Sequence, residues 1–167
     1  MIKPLEILAE MLGFREPDLS PIVRTPFRGT AIIPIEKLRY SPVYQDHVFA
    51  PGVRALELVI HLKNQYGENW KQHLGEIHGE TEDVKEELRY YDREGLNLAN
   101  PVVSMTPDNV PVVFHGFHTV CAYRNQGYTK IKVTLQQPHD KSSEELNLKP
   151  FSDIKVYLSR NSSTLVG

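Results

Sequence analysis

Residues 112–133, VVFHGFHTVCAYRNQGYTKIKV, decide the fold. The apolar, β-branched run Val112 to Phe114 reads as a strand that meets a corner, His115-Gly116-Phe117-His118-Thr119. The pattern beyond it predicts a short helix over 118–126, stopped by Gly127, and then a strand at KIKVTL, 130–135. A glycine at 116 lets the backbone turn sharply where strand gives way to helix. The first amides of that helix, from Phe117 to Val120, have no acceptor inside it and lie at the positive end of its dipole. The corner is therefore a natural seat for an anion, phosphate in particular, with the His118 ring and the Thr119 hydroxyl as further donors. A plainer reading stands beside this one. Thr119 is then a helix cap or first-turn residue, and His118 a satisfied scaffold histidine.

Working outward, LNLANPVVSM reads as a strand entered through Asn100-Pro101, TPDN as a turn, and VPVVFH as the returning strand. The pair predicts a hairpin, which rules against an all-parallel sheet. Further back, ETEDVKEELRYYDREG predicts a helix with Val84, Leu88 and Tyr91 on one side, acids at its start, and Arg89 and Arg93 before Gly95. Its acids, Glu80, Glu82, Asp83, Glu86 and Glu87, read as a solvated face rather than a metal site. VRALELVIHLKNQYG repeats apolar residues at 55, 58, 59 and 62 and ends at Gly67, another helix. Residues 68–80 are polar and ambiguous, and Thr30 to Ile35 predicts a short strand. Leu5, Leu8, Met11 and Leu12 place a helix at 2–12, followed by a proline-rich connector. After KIKVTL come a polar loop around 136–145 and a last strand at IKVYLS. The organisation expected is a leading segment over 1–29, one domain over 30–160, and a flexible tail over 161–167. Short strands mixed with helices point to a compact α+β domain, a small mixed sheet with packed helices.

The 167 residues are 40% hydrophobic and 24% charged, a globular composition large enough for a real core. A net charge of -2 lacks the basic excess expected of a protein held to duplex DNA through phosphate contacts. Lys3, Glu6 and Glu10 interrupt the apolar N-terminus, so it does not read as a signal peptide, and no run approaches a membrane span. The expected setting is the cytoplasm, without a membrane. Cys121 is the only cysteine, which excludes an internal disulfide or a multi-cysteine metal site. It reads as a small core residue rather than a nucleophile. His115 and His118 sit three apart without an acidic or cysteine ligand in the same motif, so no metal site is assigned.

The order IPIEKLRYSP…YQ, a helix, EELRYYDREGLNLANPVVSM, and VPVVFHGFHTVCAYRNQGYTKIKVTL resembles the ParB/sulfiredoxin-like fold over residues 31–135. Sulfiredoxin-like members place a cysteine directly before the histidine of the corner. Here that position is Phe117, so that chemistry is not implied. Partition-type members use an arginine-rich corner and continue into a DNA-reading helix-turn-helix. This chain has Thr119 in the arginine's place, which removes a bidentate guanidinium.

Relatives with kinase, ATPase or nuclease activity keep a similar corner and draw an acidic base from the early loop, which here holds Gln45, Asp46 and His47. The resemblance thus implies a nucleotide-dependent phosphotransferase or hydrolase. Gly116, Phe117, His118, Thr119 and Val120 would cradle the phosphates of ATP or another nucleotide with Mg²⁺. Asp46, or His47 in its place, would act as base beside His118. For Asp46 the plain alternative is an ordinary loop acid. The competing expectation is a binding protein whose catalysis has lapsed, with a protein or nucleic-acid partner of phage or plasmid context. Trp70, Tyr90 and Tyr91 would form its contact surface. Nuclease activity ranks last, for want of a metal-carboxylate cluster.

Overall fold

The structure, a computed structural model, describes residues 29–93 and 99–166. The expected helix at 2–12, most of the connector and the stop at Gly95 lie outside the described residues, as do the side chains of Tyr91 and Arg93. Six strands form one mixed sheet: β1 (Gly29–Pro34), β2 (Arg39–Tyr40), β4 (Val102–Met105), β5 (Pro111–His115), β6 (Lys130–Leu135) and β7 (Lys149–Pro150), in the order β1-β6-β4-β5-β2-β7. Two further strands, β3 (His47–Phe49) and β8 (Lys155–Tyr157), make a separate parallel pair. Three α-helices complete the described fold: α1 (Ala50–Tyr66), α2 (Glu82–Arg93) and α3 (Phe117–Asn125). The class is α+β.

The predicted hairpin is present, with β4 antiparallel to β5 and Asn109 at φ 65° in its turn. β6 then lies parallel to β4 and antiparallel to β1, with Ile33 opposite Ile131. Along β6, Ile131, Val133 and Leu135 are buried, while Lys130, Lys132 and Thr134 alternate with them and are only partly covered. A slip of one residue would turn that apolar set to the other face, so burial fixes the register.

Helix α1 starts five residues before the predicted stripe, because Pro51 suits a first helical turn and the extended Phe49 caps it. It also buries two stripes. Val53, Leu56 and Ile60 join the sheet's core with Phe117, Val120 and Cys121 of α3. Ala55, Val59 and Leu62 form a second, smaller core with Trp70, Val84 and Leu88. The second stripe is the one that the sequence pattern predicts. The ambiguous stretch is a 3-10 helix, Gly67–Glu76, whose Trp70 is 2% exposed. Trp70 therefore fills a core, and of the expected aromatic contact surface Tyr90 is exposed. Thr81 accepts the Val84 amide and caps α2, with Glu82 and Asp83 in its first turn.

The loop after β6 is stitched down. His139 donates its amide to Met105 O, Ser104 donates its hydroxyl to Gln137 O, and Ser41 does the same to Leu146 O, all at 2.8 Å. The last predicted strand is present as Lys155–Tyr157 and pairs with β3, outside the main sheet. Residues 161–166, expected as a flexible tail, double back. Leu158 donates to Thr164 O at 2.9 Å and Val166 to Val156 O at 2.7 Å, so β8 has a partner on its free edge. Among the described residues no helix is long and apolar enough to cross a membrane.

Candidate functional site

Strand β3 runs straight into α1, and β5 runs through Gly116 into α3, so two helices begin side by side. A Cβ built on Gly52, in the first turn of α1, would stand 2.9 Å from His118 Cδ2. Gly116 itself is left-handed, at φ 94° and ψ 28°. Its missing side chain leaves room for Pro101, whose Cα lies 2.8 Å from where a Cβ would be. Both glycine hollows are thus occupied by the protein's own atoms.

His118 is held from the other helix. Phe49 donates its amide to His118 Nε2 at 2.9 Å, and the two rings stack with centroids 6.0 Å apart. An acceptor at Nε2 places the proton of the neutral ring on Nδ1. Burial, then the nearby Arg160 and His47, push the His118 pKa down to about 4, which keeps the ring neutral at pH 7. The expected donation from His118 to an anion is therefore unavailable at Nε2. Val120 also drops out of the expected cradle, since its amide donates to Gly116 O at 3.0 Å. Among the described residues no acceptor closes the amides of Phe117, His118 and Thr119. The side chains of Phe117 and Thr119 are buried, and the Phe117 ring packs edge-on against Tyr40 and Phe151.

The early loop does reach this corner, carried there by β3. Asp46 Oδ1 accepts from His47 Nδ1 at 2.9 Å, and its Oδ2 accepts from Lys155 Nζ at 3.0 Å. The hydrogen bond from His47, and next that from Lys155, hold the Asp46 carboxyl below its usual range, so it is a weakened base. The His47 ring lies 5.2 Å from both Phe49 and Tyr157.

Two residues at the corner had no signal in the sequence. Arg160 places its guanidinium over the Phe49 ring, 4.9 Å from the centroid, and donates to Glu87 at 2.6 Å. It stands at the last residue of the expected domain, just after β8, and returns a guanidinium to a corner whose motif lacks one. Lys155 arrives with β8, and only the β3–β8 pairing brings it to Asp46. Cys121, by contrast, is as expected: buried in the core, its thiol pushed up to about 12 by burial.

A magnesium-bound triphosphate is a poor match for these residues. Both Asp46 oxygens are engaged, both glycine hollows are filled, and no group of three or more metal-ligating side chains is found among the described residues. The neighbouring cavity of about 500 Å³, bounded by Pro51, Tyr90, Ser159 and Arg160, also presents Asp83, Glu86 and Glu87, which repel polyphosphate. The three open amides suit a single anionic group.

No family model matches the chain, and no curated protein does. Among solved structures, protein Atu1540 from Agrobacterium tumefaciens is similar at 17% identity and a TM-score of 0.38, over 74% of this chain. The chain spans 47% of the length of that structure. A likeness this distant carries no inference about function.

Proposed function

We propose that this chain is a ParB/sulfiredoxin-like domain that binds a phosphate-bearing ligand at the start of α3 without turning it over. The state of the corner supports this reading. Among the described residues three first-turn amides stand without an acceptor, whereas the two side chains that would do chemistry are already engaged, Asp46 accepting from His47 and Lys155 and His118 Nε2 from the Phe49 amide. Arg160, paired with Glu87, stands next to His118. A titration with inorganic phosphate and with AMP, with ATP and Mg²⁺ as a weaker-binding control, followed by backbone amide shifts, tests the proposal. Shifts centred on Phe117 to Thr119, with no release of inorganic phosphate from ATP, are expected. Silence at millimolar phosphate and AMP removes the reading.

A second reading keeps catalysis, and one contact favours it. With Asp46 on Nδ1, His47 presents Nε2 as the basic atom, so His47 rather than Asp46 would take a proton from an attacking hydroxyl or water. Phosphate release that is abolished in His47→Ala and kept in His118→Gln would establish this alternative over the first.

A further inference from the structure

The opposite end of α3 carries a different arrangement. Arg124, in the last turn, borders two cavities at once, one of about 500 Å³ beside Ile35 and Tyr128, the other of about 340 Å³. Phe151 and Ser152 also belong to both. The smaller cavity is lined by the apolar Val53, Cys121, Ile154, Val156 and Val166 together with the polar Arg54, Glu57 and Asn125. Volumes of this size suit small molecules, whose sites run to about 300–1,000 Å³.

Arg124 differs from the other arginines with described side chains. Arg54 pairs with Glu80 at 2.8 Å, Arg89 with Glu86 at 2.8 Å and Arg160 with Glu87 at 2.6 Å. Arg39 donates to the carbonyls of Glu36 and Leu38. Among the described residues, Arg124 alone has neither a hydrogen bond nor an ion pair on its guanidinium. The carboxylate lining the smaller cavity, Glu57, is already taken by Arg54 and by Asn125 Nδ2.

We propose that this end of the domain binds a small carboxylate with an apolar body, the hydrocarbon against Val53, Ile154 and Val156 and the carboxylate on Arg124. A planar fork of donors matches a carboxylate in two parallel hydrogen bonds. One unpaired cation suits a singly charged head. The Cys121 thiol stays neutral and adds to the apolar wall. The negative end of the α3 dipole opposes an anion here, although the Ala122 and Arg124 carbonyls already accept from Gln126 and Gly127. The head group is therefore held by Arg124, and substitution there has a large effect.

Sodium octanoate is the probe, titrated into the full chain and followed by amide shifts. Saturable shifts at Val53, Cys121, Ile154 and Val156, with Kd on the order of 1 mM or tighter, are expected. Acetate, which lacks the body, and 1-octanol, which lacks the charge, are each expected to bind the wild-type chain about tenfold more weakly. Arg124 is exposed, so Arg124→Gln leaves the fold intact, and it is expected to weaken octanoate about tenfold. Absence of saturable shifts, octanol binding as tightly as octanoate, or an unaffected Arg124→Gln each overturns the proposal. Shifts confined to Phe117–Thr119 overturn it too, and assign the probe to the separate corner site.

Discussion

Gly116 and His118 show how tightly single residues are determined at the corner. Any side chain at 116 would have to hold a left-handed backbone and displace the Pro101 Cα at 2.8 Å. Left-handed geometry alone costs a non-glycine residue about 1–2 kcal/mol, and the contact is with backbone that cannot rotate away. Gly116→Ala is expected to lower stability by about 3 kcal/mol, read as a fall in the denaturant midpoint at unchanged slope. A loss under about 1 kcal/mol would mean that Pro101 yields freely. His118 carries a pH signature. Its folded pKa of about 4 lies below the ordinary value near 6.5, so the unfolded chain binds the proton more readily. Stability is complete above about pH 6.5, falls as pH drops towards 4, and levels off below it, a change of about 3 kcal/mol in all. His118→Gln should flatten the curve across that window, while the Asp46 contribution, from a lowered carboxyl pKa, is lost only at more acid pH. An unchanged slope in the variant would show that another group carries the dependence. The turn at Gly116 was legible in the sequence because glycine marks it locally. The Phe49–His118 bond was not, since it joins residues 69 apart.

Among the elements, those with a single periodic face were the most legible. β6 falls on the predicted residues because strict alternation leaves one register, and the β4–β5 hairpin follows from its turn residues. Helix α1 was half read. Two interleaved stripes blur a 3.6-residue period, so the stripe at 53, 56 and 60 is hidden behind the one at 55, 59 and 62. The short strands β3 and β8 depend on each other rather than on local pattern, and with them went Lys155 and Arg160. The two-stripe helix has a consequence for Trp70, the largest side chain of the second core. Removing a buried tryptophan costs about 3–5 kcal/mol where the structure cannot collapse into the space. That loss falls on a core of only six buried residues. Trp70→Ala is therefore expected to strip hydrogen-exchange protection from α2 and from Gly67–Glu76, while β4, β5 and β6 keep theirs. Equal loss across the sheet would show that the two cores are one cooperative unit.

At the scale of the molecule, α1 joins the two cores and imposes an order on their loss. The sheet core can stand without the second core, because the stripe at 53, 56 and 60 is buried against β-strands and α3. The second core cannot stand without the sheet core, since its Ala55, Val59 and Leu62 lie on a helix that needs the sheet to stay folded. The sequence supplies one probe for each. Trp70, the only tryptophan, reports the second core by fluorescence, and Cys121, the only cysteine, reports the first by alkylation. Burial and a pKa near 12 keep the native thiol unreactive, so labelling at neutral pH counts chains whose sheet core has opened. In a denaturant series the fluorescence transition is therefore expected at or below the denaturant concentration at which Cys121 becomes reactive. Coincidence would mean a single two-state unit, and a lower fluorescence midpoint a separate opening of the Trp70 core. The reverse order, with Cys121 reactive while the Trp70 signal is still native, contradicts the dependence of one core on the other through α1.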